Sequence, residues 1–336
     1  LPFGLSLSKP FDKLRANGIE LEHAMPDLIL HHYETSPFSE KIRGVLGYKK
    51  LAWKSVIVPP ILPKPDVLAL TGGYRKTPFL QIGADMYCDS ALICDVLEHI
   101  QPAPTLYPQG LKGAARITAQ WADTTLFWAS MAYNFSPKGA AQMFGAGPPE
   151  VAKAFSEDRA KMSTGMTRLK PADATAAYKS YLRRLANMLE SGGPYLLGAA
   201  PTVADFAAYH PLWFSRVRAP VMAPILDATP VVLAWMDRMA ALGHGQRSEL
   251  SAAEAIAVAK AATPAPEDTD TFQDDHGIPL GSRVTINAEL FGQEPTEGEL
   301  VAATRMHFTL RRADERAGTV HVHFPRIGYV LKKVEA

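Results

Sequence analysis

A proline inside a strand-like run limits most sharply what this chain can fold into. Residues 75–93 read RKTPFLQIGADMYCDSALI, an apolar run, a turn, a second short run and a helix start. Pro78 has no N–H to give to a ladder, so a central strand cannot contain it and a strand can at best begin beside it. An X-Pro bond makes the cis form affordable, at about 0.5–1 kcal/mol. A cis Thr77-Pro78 bond would end one strand and turn the Thr77 N–H and C=O outward. An extended peptide could then pair with that edge by strand addition. A tight turn or an edge strand that happens to hold proline is the plainer alternative. Asp89-Ser90 likewise reads first as an ordinary N-cap.

The surrounding order fixes the context. Residues 28–33 are strand-like. Phe38, Ile42, Val45 and Leu46 then recur at helical spacing after Ser36-Pro37, a good N-cap with proline at the first helical position. Residues 53–58 read as a second strand and 67–70 as a helical turn closed by Gly72-Gly73. Strands at 78–82 and 86–88 and a helix at 90–100 complete a β-α-β-loop-β-β-α order. From 111 to about 242 the signals are helical and alanine-rich, with a long loop at 135–149 and a capping-box variant at Thr202–Asp205. Residues 248–261 read as a last helix and 263–275 as a polar linker. Residues 276–336 alternate apolar and polar, as in a β module of three or four strands. Residues 1–24 read as a disordered or non-native lead-in.

Composition excludes more than it selects. The chain has 336 residues with 35 basic and 34 acidic side chains, which gives no reason to expect nucleic acid or an anionic membrane. No apolar run is long enough to span a membrane. The two cysteines, Cys88 and Cys94, make neither a disulfide framework nor a zinc ribbon, and a reducing cytoplasmic setting is expected. His321 and His323 share one strand face, a spacing compatible with metal. With no third ligand in view, no metal is expected.

Four segments in register resemble the glutathione transferase family: SPFSEKIR, RKTPFLQI, DSALICDVLE and LLGAAPTVADFAAY. The resemblance covers about residues 27–245 and is to a serine-type, bacterial-like member. It implies an α/β thioredoxin-like N-terminal domain over 25–105 and an all-α domain over 110–262, followed by the small β module, which is not part of the common pattern. It implies a transferase of alkyl or aryl groups that positions glutathione thiolate for attack on a hydrophobic electrophile. Glutathione is then a co-substrate, with no cofactor, and a homodimer is the expected assembly. A scaffold without turnover, docking through residues 276–336, is the alternative.

The resemblance also assigns roles. The Thr77 backbone, freed by Pro78, pairs with the tripeptide backbone, and Asp89 and Ser90 take its γ-glutamyl end. Arg75 and Lys76 suit the glycyl carboxylate. Ser36 donates to the sulfur beside the positive end of the first helix, which favours the thiolate over a thiol that titrates near 8.5. Tyr33 is the fallback donor. Phe127, Met131 and Phe135 are the expected acceptor-pocket side chains. Neither Ser36 nor Ser39 is cysteine, which argues against a thiol-disulfide oxidoreductase.

Overall fold

The structure is a computed structural model that describes residues 26–266 and 276–335. The expected lead-in over 1–24 and most of the expected linker lie outside the described residues. The N-terminal part runs β1 (Ile29–His32), α1 (Pro37–Tyr48), β2 (Ala52–Ile57), α2 (Pro65–Thr71), β3 (Phe79–Ile82), β4 (Asp85–Cys88) and α3 (Ser90–Ile100). β1 pairs parallel to β2 and antiparallel to β3, which pairs antiparallel to β4. This is the thioredoxin-like arrangement that the family resemblance implies. The Thr77-Pro78 bond is cis, and β3 begins one residue beyond the proline.

The helical half starts with α4 (Lys112–Trp121) and α5 (Phe127–Asn134), joined by a π-helical turn at Ala122–Leu126. There follow α6 (Pro137–Phe144), α7 (Pro149–Met162), α8 (Pro171–Gly192), α9 (Val203–Trp213) and α10 (Pro230–Ala240). Residues 135–149 are thus not one long loop. Ser136-Pro137 opens a helix within them, proline being well placed in a first turn. At the start of α9 the Asp205 carboxylate accepts from the Thr202 N–H at 2.8 Å, the capping box legible in the sequence. Its other oxygen accepts from the Leu196 N–H at 2.8 Å and the Trp235 indole at 3.0 Å.

The expectation of an all-helical run to residue 262 is corrected. β5 (Gln246–Glu249) pairs parallel to β2, and only then does α11 (Ala252–Ala261) begin. Ser251 and Glu254 form its capping box, three residues later than the sequence reading. α11 packs Ala255, Ile256 and Ala259 against the sheet rather than the helical bundle.

The C-terminal module has five described strands: β6 (Arg283–Ala288), β7 (Thr296–Ala303), β8 (His307–Asp314), β9 (Gly318–Pro325) and β10 (Tyr329–Lys333). They do not stand apart. β9 pairs parallel to β4, so the ten described strands form one sheet in the order β10-β6-β7-β8-β9-β4-β3-β1-β2-β5. Successive strand residues serve opposite faces. Leu28, Leu30, Trp53 and Leu80 enter the core shared with α1, α3 and the helical half. Ile29, Val56, Phe79 and Met86 enter a second core with α2, α11 and the C-terminal strands. Docking the module on β4 covers an edge that would otherwise present unpaired backbone.

Candidate functional site

The sheet register gathers the sequence-predicted residues at one end. β3 and β4 pair Phe79 with Cys88, so continuing the antiparallel register past both strand ends brings Thr77 beside Ser90. β1 pairs His31 with Phe79, which brings the chain leaving β1 to the same end. Ser36 is there, buried, as the N-cap of α1. Its oxygen accepts from the Ser39 N–H at 3.2 Å, and its own hydroxyl proton stays available to donate. Capping and activation of a bound thiol are therefore compatible roles for the one side chain.

Asp89 caps α3, accepting from the Ala91 N–H at 2.9 Å. Its backbone lies at φ 78°, ψ 134°, a conformation close to glycine territory. Holding a side-chain-bearing residue there costs about 1–3 kcal/mol, and such strain gathers at functional sites. Two tyrosines pin it. The Asp89 N–H donates to the Tyr74 hydroxyl at 3.1 Å, and the Tyr329 hydroxyl donates to the carboxylate at 3.0 Å. Tyr329 comes from β10, so the C-terminal module contributes directly to this corner.

Ser90 meets a residue that sequence reasoning missed. The fully buried Lys41 ammonium donates to the Ser90 hydroxyl at 3.0 Å and to Asp123 at 2.5 Å. His210 lies 3.0 Å from the other Asp123 oxygen. Burial opposes ionisation of Asp123, but the Lys41 charge and then His210 hold its carboxyl below the ordinary value. Burial likewise disfavours the Lys41 ammonium, and the Asp123 carboxylate outweighs it. Burial pushes His210 down despite that same carboxylate. The signal was present. Lys41 falls on the stripe of Phe38, Ile42 and Val45, and His210 interrupts the apolar run FAAYHPLW; a charge on a core face needs a partner. Asp123 sits in the π-helical turn, a distortion often found at functional sites.

The cationic end departs from expectation. Arg75 is not open to a ligand carboxylate: it donates to Asp158 and to Glu294, each at 2.6 Å. Glu294 belongs to the connection between β6 and β7. In that connection Phe291 packs edge-on against Trp128 at 5.1 Å, and the Gly292 N–H donates to the Met162 carbonyl at 2.8 Å. The second Glu294 oxygen is buried with no hydrogen-bond partner among the described residues. Lys76 lies over the Tyr74 and Tyr329 rings, 5.3 and 4.9 Å from their centroids. Burial lowers its pKa, with Asp89 working the other way. Tyr33, the fallback donor, is 3.4 Å from the Arg159 guanidinium on α7.

Phe127 and Met131 join Phe214 in a small apolar cluster against which Phe38 and Trp128 pack. Phe38 follows Pro37 directly, so the cluster borders the start of α1. Phe135 lies at the C-terminal end of α5, exposed, stacked with Phe144 and Phe155, and its ring is 5.8 Å from that of Phe214, so it adjoins the cluster from its outer side. Burial pushes the Cys94 thiol to about 12 and Cys88 well above its ordinary value, in keeping with inert core thiols.

The strands, the caps and the helical half together define a two-domain glutathione-transferase architecture with an added strand module. Residues 30–105 match the family "Glutathione S-transferase, N-terminal domain", and residues 154–238 match "Glutathione S-transferase, C-terminal domain". A GST-like protein from Pseudomonas syringae is similar at 43 % identity, over 92 % of this chain and 100 % of that one, with a TM-score of 0.77. The uncovered share is smaller than the C-terminal module, so at least part of the module is common to both. A glutathione transferase from Phanerochaete chrysosporium shares the fold at 20 % identity, over 65 % of this chain and 98 % of that one, with a TM-score of 0.53. No curated protein matches the chain. The chain belongs to the glutathione S-transferase family.

Proposed function

We propose that the chain binds glutathione between the start of α1, Thr77 and the start of α3, and presents its thiolate to a hydrophobic electrophile. The observation that carries this reading is the strained Asp89 backbone where those three segments meet. Ser90 and the first N–H groups of α3 suit a carboxylate, and the Thr77 backbone suits an extended peptide. The Ser36 hydroxyl, beside the positive end of α1, stabilises the sulfur anion; each unit of pKa depression is worth about 1.4 kcal/mol. Phe38, Phe127 and Met131 offer an apolar face to the acceptor. The reading includes a homodimer in the cytoplasm; sedimentation of the purified chain tests the dimer, and fractionation of cells tests the location. No helix among the described residues is long and apolar enough to cross a membrane.

The test is calorimetric titration with glutathione, together with the ultraviolet thiolate absorption on mixing. Ser36→Ala is expected to lose the thiolate band and keep the fold, with a capping loss of about 1 kcal/mol. An unchanged band removes Ser36 from its role.

A second reading is favoured by one observation: the Arg75 guanidinium already holds two carboxylates, one of them from the β6–β7 connection. On that reading the scaffold does not turn over glutathione, and the C-terminal module serves as the interaction surface. Failure of both the wild type and Glu294→Gln to bind glutathione would select it.

A further inference from the structure

We propose that Asp85, His321 and His323 form a binding site for a divalent first-row transition metal ion, zinc fitting best, which clamps the C-terminal strands to β4. The two histidines alone were too few for a site, and the sequence could not say what faced them. The fold supplies the third group. β4 and β9 pair in parallel with Asp85 opposite His321 and Tyr87 opposite His323. Residues opposite one another share a sheet face, and so do residues two apart, so the three side chains converge.

The distances suit a small ion. His323 Nε2 is 2.8 Å from Asp85 Oδ1, and His321 Nδ1 is 3.8 Å from the same oxygen. The ligand atoms all lie within 4.8 Å of one another. Zinc bonds of about 2.0–2.1 Å in tetrahedral geometry put ligand atoms roughly 3.3 Å apart. The observed separations bracket that value, so small side-chain rotations close the site.

The outer contacts are those a ligand set needs. The Thr309 hydroxyl lies 2.9 Å from His323 Nδ1, which leaves Nε2 to face Asp85. The Tyr87 ring stacks on the His323 imidazole at 4.4 Å and 11°. The Ala265 N–H donates to Asp85 Oδ2 at 2.8 Å, which turns Oδ1 toward the histidines. Such partners fix ring orientation and tautomer at metal sites. Two imidazoles and one carboxylate suit zinc, cobalt, nickel or iron(II); magnesium and calcium, which want several oxygen ligands, are poorly served. Three protein ligands leave a fourth position for solvent. All three residues are buried at the seam between module and domain, so an ion there would tie residues 85 and 321–323 together across the chain.

The test uses the full chain, treated with chelator and titrated with Co(II), then Zn(II). One equivalent of Co(II) should bind with the visible ligand-field bands of four-coordinate cobalt, and zinc should displace it. Asp85→Asn and His323→Gln should lose the bands, and zinc should no longer raise their melting temperature as it does the wild type's. Thr309→Val should keep the bands with affinity reduced about 10- to 100-fold. Circular dichroism checks folding. If Asp85→Asn does not fold, His323→Gln carries the test, since its amide can still bond Asp85. No cobalt uptake by the wild type, or uptake unchanged in the folded ligand variants, overturns the proposal.

Discussion

The two ends of the candidate glutathione site are built differently. The Ser36–Ser90 end has a local frame, two helix caps and a strand register, with one buried cation beneath it. The Arg75–Lys76 end is assembled from afar: Asp158 lies in the helical half, and Glu294 and Tyr329, whose ring underlies Lys76 and whose hydroxyl reaches across to Asp89, lie in the C-terminal module. At the first end the structure leaves a hydroxyl able to donate. At the second, this chain's own carboxylates hold the cation that a ligand carboxylate would seek. Caps can be read from short segments, whereas the charge state of a surface depends on which distant side chain arrives.

The largest way to break this contrast is to remove the cation under the first end. Lys41→Met leaves Asp123 buried with only His210 beside it. Chemical denaturation should show a loss of about 3–5 kcal/mol, much of it recovered in Lys41→Met/Asp123→Leu. A loss below 1 kcal/mol would mean that the pair does not hold α1 and α3 to the helical half.

Next in size is the response to pH, which has one main cause at both ends, burial of a basic group, but falls in two different pH windows. Burial lowers His31 to about 4; burial, with the Arg43 charge, lowers His32 to about 3. Both are neutral in the fold, and the unfolded chain binds their protons first. Their contribution is therefore full above about pH 6.5 and is lost on acidification toward 4 and 3. The loss is about 1.4 kcal/mol per pH unit for each group. At the other end Lys64, which donates to the Arg75 carbonyl, is lowered to about 8 by burial and by the Arg159 and Arg75 charges. Its charged form is disfavoured in the fold, so stability should recover as pH rises from about 8 toward 10.5. Denaturation midpoints measured across pH separate the two. A flat profile from pH 6.5 to 5 would show that the histidines are not buried neutral.

Glu294→Gln sharpens the contrast. It releases one carboxylate from Arg75 and should tighten glutathione about 10-fold, or about 1.4 kcal/mol, by calorimetry. Weaker binding would show that Glu294 orders the site rather than competing for it. The smallest stability effect belongs to Asp89→Gly. Relief of the backbone offsets the lost Tyr329 bond, and glycine costs a cap only a few tenths of a kcal/mol. Stability should stay within about 1 kcal/mol while glutathione binding falls. A loss of several kcal/mol would show that the Tyr329 bond, not the ligand, maintains the strained turn.

Much of the frame was legible because it rests on local chemistry. Ser36-Pro37, Asp89-Ser90 and Thr202–Asp205 announced caps, and Pro78 announced where β3 could begin. Three features were not legible. β5 is only four exposed residues, QRSE, with no alternation to mark a strand; pairing with β2 makes it one. α6 was masked by the glycines around it. The β module read as separate because nothing in residues 318–325 says that β9 pairs with β4 rather than with a strand of its own module on both sides.

The sequence by itself determined the order of elements from β1 to α3 and the caps that open α1, α3 and α9, since each depends on neighbours within a few positions. Only the tertiary structure decided which charges meet. Lys41 finds Asp123 and Ser90, Arg75 finds Asp158 and Glu294, and Asp85 finds His321 and His323. The reason is physical. A cap satisfies orphan backbone groups one turn away, whereas a buried charge must be met by whatever the packing of helices and strands distant in the chain brings within about 3 Å, and no short segment encodes that distance.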